Sequence, residues 1–357
     1  MSPKDRALIA ARHEEPDKVP LVLYGYSLVQ KDFLGVKEFD YYQNLKYQLE
    51  AKVAFIKRFK EAQCCWSSAC VLPEGGFETG SIATAFGGRI TWMPDAPPWV
   101  SESPIKDLDD VDRILSNPLP DPKKSGESLW FLKGLKYFKD WFPLDLRKDY
   151  DLIDGNVGPQ TLLAEGLALA MGYDKWMTWM FLYPKELKKL MDLVTDYVIE
   201  VVNSAIEIVG EPKYIFLPDH SPSFVNERQF REFILPYLNR FFDKFKGLKV
   251  WHNEGRVSHM LKAVDEIKAD VWQFGTFDDP KLCKENTHFC LMGNLHPPGI
   301  LLKGKPEEVY QETVRIINLA GEGGGLWISS GGGMAPNTPF ENIDAIIKAI
   351  EDHGRYR

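Results

Sequence analysis

Short apolar runs rich in β-branched and aromatic residues alternate along this chain with longer segments of helical periodicity. This rhythm is typical of repeated β–α units, in which helices connect parallel strands. Eight units of this kind predict an α/β fold, a single (β/α)8 TIM barrel, with its site at the carboxyl ends of the strands. The predicted strands are Val19 to Gly25, Ala62 to Ser67, Leu152 to Asn156, Tyr214 to Pro218, Lys249 to His252, Asp270 to Phe274, His288 to Gly293 and Leu326 to Ser330.

Apolar residues at helical spacing fill the segments between these runs, and two stretches depart from the rhythm. Residues 75–100, with a Gly87-Gly88 turn between strand-like halves, predict an inserted hairpin. The Pro-, Asp- and Lys-rich residues 107–126 predict a surface connection. Thr338-Pro339-Phe340-Glu341 predicts a capping box at the start of the last helix. We therefore expect one domain over residues 1–357, with the hairpin inserted and extra helices at its N-terminal end.

Charge and cysteine content limit the classes of partner. The 357 residues carry a formal net charge of -8, so no general attraction to nucleic acid or to an anionic membrane is expected. No apolar run approaches the ~18 residues that a membrane span needs. The odd number of cysteines, without metal-ligand spacing, predicts reduced thiols and a cytoplasmic protein. They are Cys64, Cys65, Cys70, Cys283 and Cys290.

Two of the predicted strands end abruptly in polar residues and glycines. One is Lys249-Val250-Trp251-His252-Asn253-Glu254-Gly255, and the other continues from Ile328 into Ser330-Gly331-Gly332-Gly333. Because side chains two residues apart leave the same face of a strand, His252 and Glu254 point the same way. That geometry suits a metal ion or a proton relay, although a lone His-x-Glu pair is more often a hydrogen-bonded pair.

A series of short motifs gives the chain a resemblance to a known family. They are Pro16-Asp17-Lys18-Val19-Pro20, Gly155 to Thr161, Asp219 to Pro236, His252-Asn253-Glu254-Gly255, Gly293-Asn294-Leu295, and Ser330 through Pro339 with Asn342. In this order and spacing they resemble the uroporphyrinogen decarboxylase superfamily over nearly the whole chain. The resemblance implies the (β/α)8 fold. It also implies one of two activities, decarboxylation or cobalamin-dependent methyl transfer.

The residues disfavour decarboxylation. Decarboxylases of this superfamily bind their polycarboxylate substrate through arginines in the first barrel loop and an aspartate that faces the pyrrole nitrogens. The matching loop here, Leu23-Tyr24-Gly25-Tyr26-Ser27, has no arginine, and residues 64–70 contain no aspartate. The position of the family's late histidine is occupied by Gly332.

Within the methyltransferases, the residues favour a site for oxygen over one for sulfur. The thiol-directed branch carries His-x-Cys on one strand and a second Cys in the late glycine-rich turn, which together hold zinc. Here His252 is retained, while Glu254 and Gly332 replace the two cysteines. The resemblance and this harder donor set imply a methyl ether O-demethylase of anaerobic one-carbon metabolism, with zinc as cofactor and a corrinoid-binding protein as partner. The corrinoid supplies a cobalt(I) nucleophile.

Candidate site residues follow from the ends of the predicted strands. His252 and Glu254 are the expected metal ligands or acid pair, with a further ligand from Asp219, His220 or Glu74; Asp219 is equally suited to a cap or turn. Aromatic and amide residues expected to line the substrate site, or else to lie in the core or secure turns, are Tyr24, Tyr26, Trp66, Trp92, Trp251, Asn156 and Asn294. Gly331, Gly332 and Gly333 are expected to face the corrinoid, or to serve the turn alone.

Several alternatives stay open at the level of sequence. A methylcobalamin:thiol methyltransferase is the nearest, a uroporphyrinogen decarboxylase-like enzyme is the next, and a non-catalytic barrel that docks a partner is the most distant. Residue types do not fix the methyl donor, the complete zinc ligand set or the direction of transfer. They also leave the oligomeric state open, including a homodimer.

Overall fold

Parallel strands form the centre of the molecule. The computed structural model describes residues 1–24, 27–64, 71–94, 96–158 and 162–356. Its strands are β1 Val22–Leu23, β2 Gln63–Cys64, β3 Arg89–Met93, β4 Ala96–Glu102, β5 Asn156–Val157, β6 Tyr214–Pro218, β7 Leu248–Asn253, β8 Val271–Phe274, β9 Cys290–Leu295 and β10 Leu326–Ser330.

Eight of these strands follow one another in parallel order. Strands β10-β9-β8-β7-β6-β5 form one six-stranded sheet, and β1 pairs with β2. A parallel bridge between Leu21 and Ile328 connects β1 to β10. Within the described ranges no pairing joins β2 to β5, so closure of the barrel stays a prediction while the parallel α/β order is established.

The helices surround this sheet. They are α1 Pro3–Ala11, α2 Ser27–Gln30, α3 Glu38–Gln43, α4 Leu45–Arg58, α5 Phe77–Ala85, α6 Leu108–Ser116, α7 Gly126–Trp141, α8 Leu144–Asp149, α9 Ala164–Met171, α10 Tyr173–Leu182, α11 Pro184–Val209, α12 Glu227–Phe233, α13 Leu235–Lys244, α14 Leu261–Val264, α15 Pro280–Asn286, α16 Pro306–Ala320 and α17 Phe340–His353. In the part of the chain that the structure describes, no helix has the length and apolarity of a membrane span.

Large aromatic side chains lie in the core between strands and helices. Trp251 and Trp272 are fully buried, and their rings stack at 5.5 Å. Trp327 is also buried, and its indole N–H donates to the carbonyl oxygen of Ala7 at 2.9 Å, which fixes α1 to β10. Burial of each such ring contributes about 1.5–3 kcal/mol to folding.

The predicted strand at Leu152 to Asn156 is wrong except for its last residue. Strand β5 begins at Asn156, where the predicted strand ends. Asp151 and Ile153 adopt positive φ angles of 52° and 67°, so their segment is a turn. Leu152 and Ile153 are apolar and buried although they lie in this turn. Their sequence therefore looks like part of a buried strand.

Three further local predictions need correction. The inserted hairpin is formed by β3 and β4, but Gly87-Gly88 lies between α5 and β3 and is not the hairpin turn. Helix α6 occupies part of the expected surface connection, with its N-terminus capped by the Asp107 side chain. The last helix begins at Phe340 with Pro339 as its N-cap and has no side-chain cap, while Thr338 Oγ1 donates to the carbonyl of Ala335.

Candidate metal centre

Three neighbouring strands bring the candidate centre together. Pro218, the last residue of β6, pairs with His252 of β7, and His252 pairs with Gln273 of β8. Polar side chains that follow these strands therefore converge at the carboxyl edge of the sheet, as expected for a parallel α/β fold.

Three donor side chains meet at this edge. Each of His220, His252 and Glu254 offers one ligand atom, and these atoms lie within 4.8 Å of one another. The Nε2 atoms of His220 and His252 are 2.9 Å apart. Two imidazoles and a carboxylate are ligands that zinc accepts in proteins.

The outer nitrogen of each imidazole is held by another side chain. His220 Nδ1 lies 2.6 Å from Glu165 Oε2, and His252 Nδ1 contacts Gln273 Oε1. Glu165 is held in turn by the Tyr173 hydroxyl, which donates to Oε1 at 2.6 Å. Hydrogen bonds of this kind orient metal-ligating histidines and direct the Nε2 lone pairs towards the metal.

The two histidines have opposite pKa shifts. Burial lowers the pKa of His220, but the Glu165 carboxylate outweighs burial and raises it to about 9. Burial and then the His220 charge lower the pKa of His252 to about 3. Burial raises the pKa of Glu165, yet the charge and hydrogen bonds of His220 together with Tyr173 bring it to about 2. Without a metal, His220 therefore carries the positive charge, and its Nε2–H donates to Nε2 of the neutral His252.

Glu254 completes the centre at its open side. The residue as a whole is exposed. Surrounding protein nevertheless desolvates the carboxyl group and raises its pKa, with His220 opposing and Glu165 adding to this shift. Across the described chain, Glu254 forms no ion pair with a lysine or arginine. A divalent cation would neutralise this carboxylate, so the donor set fits zinc.

Aromatic rings pack against His252. The Tyr24 ring stacks on the imidazole with centroids 5.1 Å apart, and the Phe216 ring lies at 5.8 Å. Tyr24 is 3% exposed. Of the aromatic residues expected around the substrate, Tyr24 is thus beside the centre, while Tyr26 and Trp66 lie outside the described residues.

The other two aromatic candidates lie elsewhere. Trp251 packs on Trp272 and Phe289, on the strand face opposite His252, so its ring is in the core and not at the expected wall. Trp92 is half-buried in the hairpin and packs against Phe39 and Tyr42.

Two predicted carboxylate ligands have other partners. Asp219 accepts hydrogen bonds from the backbone N–H groups of Ala164 at 2.7 Å and Ser221 at 3.0 Å, so it caps the start of α9. Burial raises the pKa of Asp219 to about 6, with the Glu165 charge as the second cause. Glu74 forms a buried ion pair with Lys52. Neither belongs to the cluster of donor atoms found in the described chain.

The predicted amides have structural roles away from the donor atoms, whereas the predicted glycines lie close to the centre. Asn156 pairs with Tyr214 at the amino end of β6, about four strand residues or roughly 13 Å from the level of His252. Asn294 Nδ2 donates to the carbonyls of Gly275 and Asp278, both at 3.0 Å, and secures the turn after β8. Gly331 and Gly332 are buried beside the centre, and Gly333 is half-exposed.

Sequence reasoning missed Glu165, Gln273 and Phe216. Glu165 lies in the first turn of a helix that follows a strand, and Gln273 is a polar residue inside an otherwise apolar strand. Both positions are sequence signals for a group at the carboxyl edge. Phe216, inside the apolar run Ile215-Phe216-Leu217, carries no signal of that kind.

Comparison with known proteins agrees with this architecture. The family model described as uroporphyrinogen decarboxylase (URO-D) matches residues 2–353. The chain belongs to the uroporphyrinogen decarboxylase family. A methylcobamide:CoM methyltransferase, MtbA, of Methanosarcina acetivorans is 21% identical over 99% of this chain and 98% of its own. A uroporphyrinogen decarboxylase of Danio rerio is 24% identical over 98% and 94%.

A solved methyltransferase from Methanosarcina mazei has the same fold as this family member. It superposes with a TM-score of 0.76 at 20% identity and covers 99% of both chains. At this identity the likeness establishes the fold. The reaction must be argued from the residues of the centre.

Proposed function

We propose that this member of the uroporphyrinogen decarboxylase family is a corrinoid-dependent methyltransferase. It transfers a methyl group from a methyl ether, with methoxylated aromatics as the favoured class, to the cobalt(I) of a corrinoid carried by a partner protein. The observation that carries this proposal is the convergence of His220, His252 and Glu254, a nitrogen and oxygen donor set. Full-length relatives named methylcobamide:CoM methyltransferases support the corrinoid.

In this proposal His220, His252 and Glu254 hold one zinc ion. When bound, zinc supplies a Lewis acid that lowers the cost of an alkoxide or phenoxide leaving group. Glu165 and Gln273 fix the two imidazole rings. The Tyr24 ring beside His252 provides an apolar contact for the donor.

The proposed methyl transfer needs no further reactant for its atoms and electrons to balance. The cobalt(I) electron pair forms the new bond to the methyl carbon, and the pair of the breaking carbon–oxygen bond stays on oxygen. The corrinoid must approach within bonding distance, so the partner covers the open side of the centre. Gly333, half-exposed in the turn from Gly331 to Gly333, is the part of that turn available to it.

A thiol methyltransferase is the second candidate. A methylated-thiol–coenzyme M methyltransferase of Methanosarcina mazei is 25% identical over 58% of this chain and 56% of its own. That name describes methyl transfer involving a thiol, and the second candidate for this chain is methyl transfer from methylcobalamin to a thiol. The centre's oxygen and nitrogen donors favour the ether, because softer sulfur ligands suit a site that activates a thiol.

Two measurements test the proposal. Elemental analysis of protein purified without chelators should find about one zinc per chain, and His252→Ala or Glu254→Ala should lower this zinc content. Reduced corrinoid protein mixed with the enzyme and a panel of methoxylated aromatics should change to the absorbance spectrum of the methylated corrinoid. Methylation of a thiol by methylcobalamin, with no ether accepted, would instead establish the second candidate. Turnover of uroporphyrinogen would overturn both.

A further inference from the structure

The glycine-rich turn after β10 lies directly against Glu254. A Cβ atom placed on Gly332 would overlap Oε2 of Glu254 and lie 2.8 Å from Cδ. All three of its nearest atoms belong to this one carboxyl group. The neighbouring Gly331 differs, because a Cβ there would meet the Asn294 carbonyl at 3.1 Å and Thr276 at 3.2 Å.

We infer that Gly332 is a positioning residue, whose missing side chain leaves the space in which the Glu254 carboxylate reaches His220 and His252. The inference rests on the proposed zinc site and concerns how its third ligand is held. It gives Gly332 a role in the centre itself, separate from any contact with the corrinoid protein.

The backbone around Glu254 explains why the carboxylate, and not the strand, would have to move. A Cβ on Gly275 would lie 2.9 Å from Glu254 Cα. The residue that follows β8 is therefore already packed tightly against the backbone of Glu254, which leaves that backbone little room to move. The carboxyl group is the far end of a flexible side chain on the open side of the centre. A methyl group at position 332 therefore rotates the carboxylate away from the two imidazoles.

Backbone conformation at Gly332 offers a competing explanation. Its φ of 129° is one that L-residues rarely adopt, so any substitution also strains the turn. Strain acts on stability whether or not residue 254 carries a carboxylate. Displacement of Glu254 acts on zinc affinity, and only while the carboxylate is present. A double-mutant cycle separates the two effects.

The test measures zinc affinity by chelator competition for the wild type, Gly332→Ala, Glu254→Ala and the double variant, with folding followed by circular dichroism. Gly332→Ala should weaken zinc binding about 10–100-fold, to the level of Glu254→Ala. In the Glu254→Ala background the same substitution should change zinc affinity less than about twofold. Gly331→Ala, the matched control, should retain wild-type affinity.

Each result decides the inference. Equal losses from Gly332→Ala in both backgrounds, or wild-type affinity in Gly332→Ala, would overturn it while leaving the zinc site intact. A wild type that binds no zinc would instead refute the proposed function. If Gly332→Ala fails to fold, folding of the double variant supports the overlap with Glu254, and misfolding of both refutes it.

Discussion

The carboxylates of Glu74 and Glu254 lie in different regions of the molecule, and only the region around Glu254 is suited to a metal. Glu74 lies in a buried ion pair with Lys52, where the two side chains are 3% and 0% exposed. Glu254 faces two imidazoles and has no lysine or arginine partner in the described ranges. The protein supplies its own counter-charge in the first region, so that pair is structural. In the second region the counter-charge is left for a ligand.

The largest expected effect comes from breaking the buried ion pair. Lys52→Met should lower the free energy of unfolding by about 3–5 kcal/mol, because the Glu74 carboxylate loses its cation in the interior. Denaturant titration measures this. Lys123→Met, which breaks the exposed pair with Glu207, should leave the midpoint unchanged. Equal midpoints for the two variants would show that the buried pair has no special role in stability.

A smaller effect is expected from the outer partner of His220. Glu165→Gln retains an acceptor for Nδ1 but removes the negative charge, so zinc affinity should fall about 10–100-fold while the protein stays folded. Chelator competition gives the affinity, and Glu207→Gln on the exposed surface is the control. Unchanged zinc affinity would show that Glu165 is not part of the metal centre and that its hydrogen bond with Tyr173 is only structural.

The smallest expected effect on stability concerns a neutral buried group, the side-chain amide of Asn156. Both polar side-chain atoms of the Asn156 amide are buried at the amino end of the sheet, and no hydrogen-bond partner for them lies among the described residues. Asn156→Leu should therefore change the unfolding free energy by less than about 1 kcal/mol and leave zinc affinity unaltered.

Asn294→Leu provides the matched contrast for that measurement. It leaves the carbonyls of Gly275 and Asp278 unpaired and should cost about 1–3 kcal/mol. Loss of zinc or of substrate binding in Asn156→Leu would show that the amino end also contributes to the site.

Strand positions in this family member could be predicted where apolar runs are bounded by polar residues. Strands β6 and β10 coincide with their predicted bounds, and β7 extends its prediction by one residue at each end. Strand β5 was misplaced because a buried turn has the same apolar composition as a strand. Local composition reports burial, and burial alone does not distinguish a turn from a strand.

The sequence by itself determined that His252 and Glu254 share a face, because the alternation of side chains along a strand is a property of the backbone. Only the tertiary structure decided which groups join them. Strand order places His220 and Gln273 beside His252, and the start of α9 brings Glu165 to His220 while it turns Asp219 away to cap the helix. The contact between Gly332 and Glu254 likewise joins segments far apart in the chain. Such contacts between distant segments depend on strand order and on how the connections between strands pack. Neither property is encoded by a single segment.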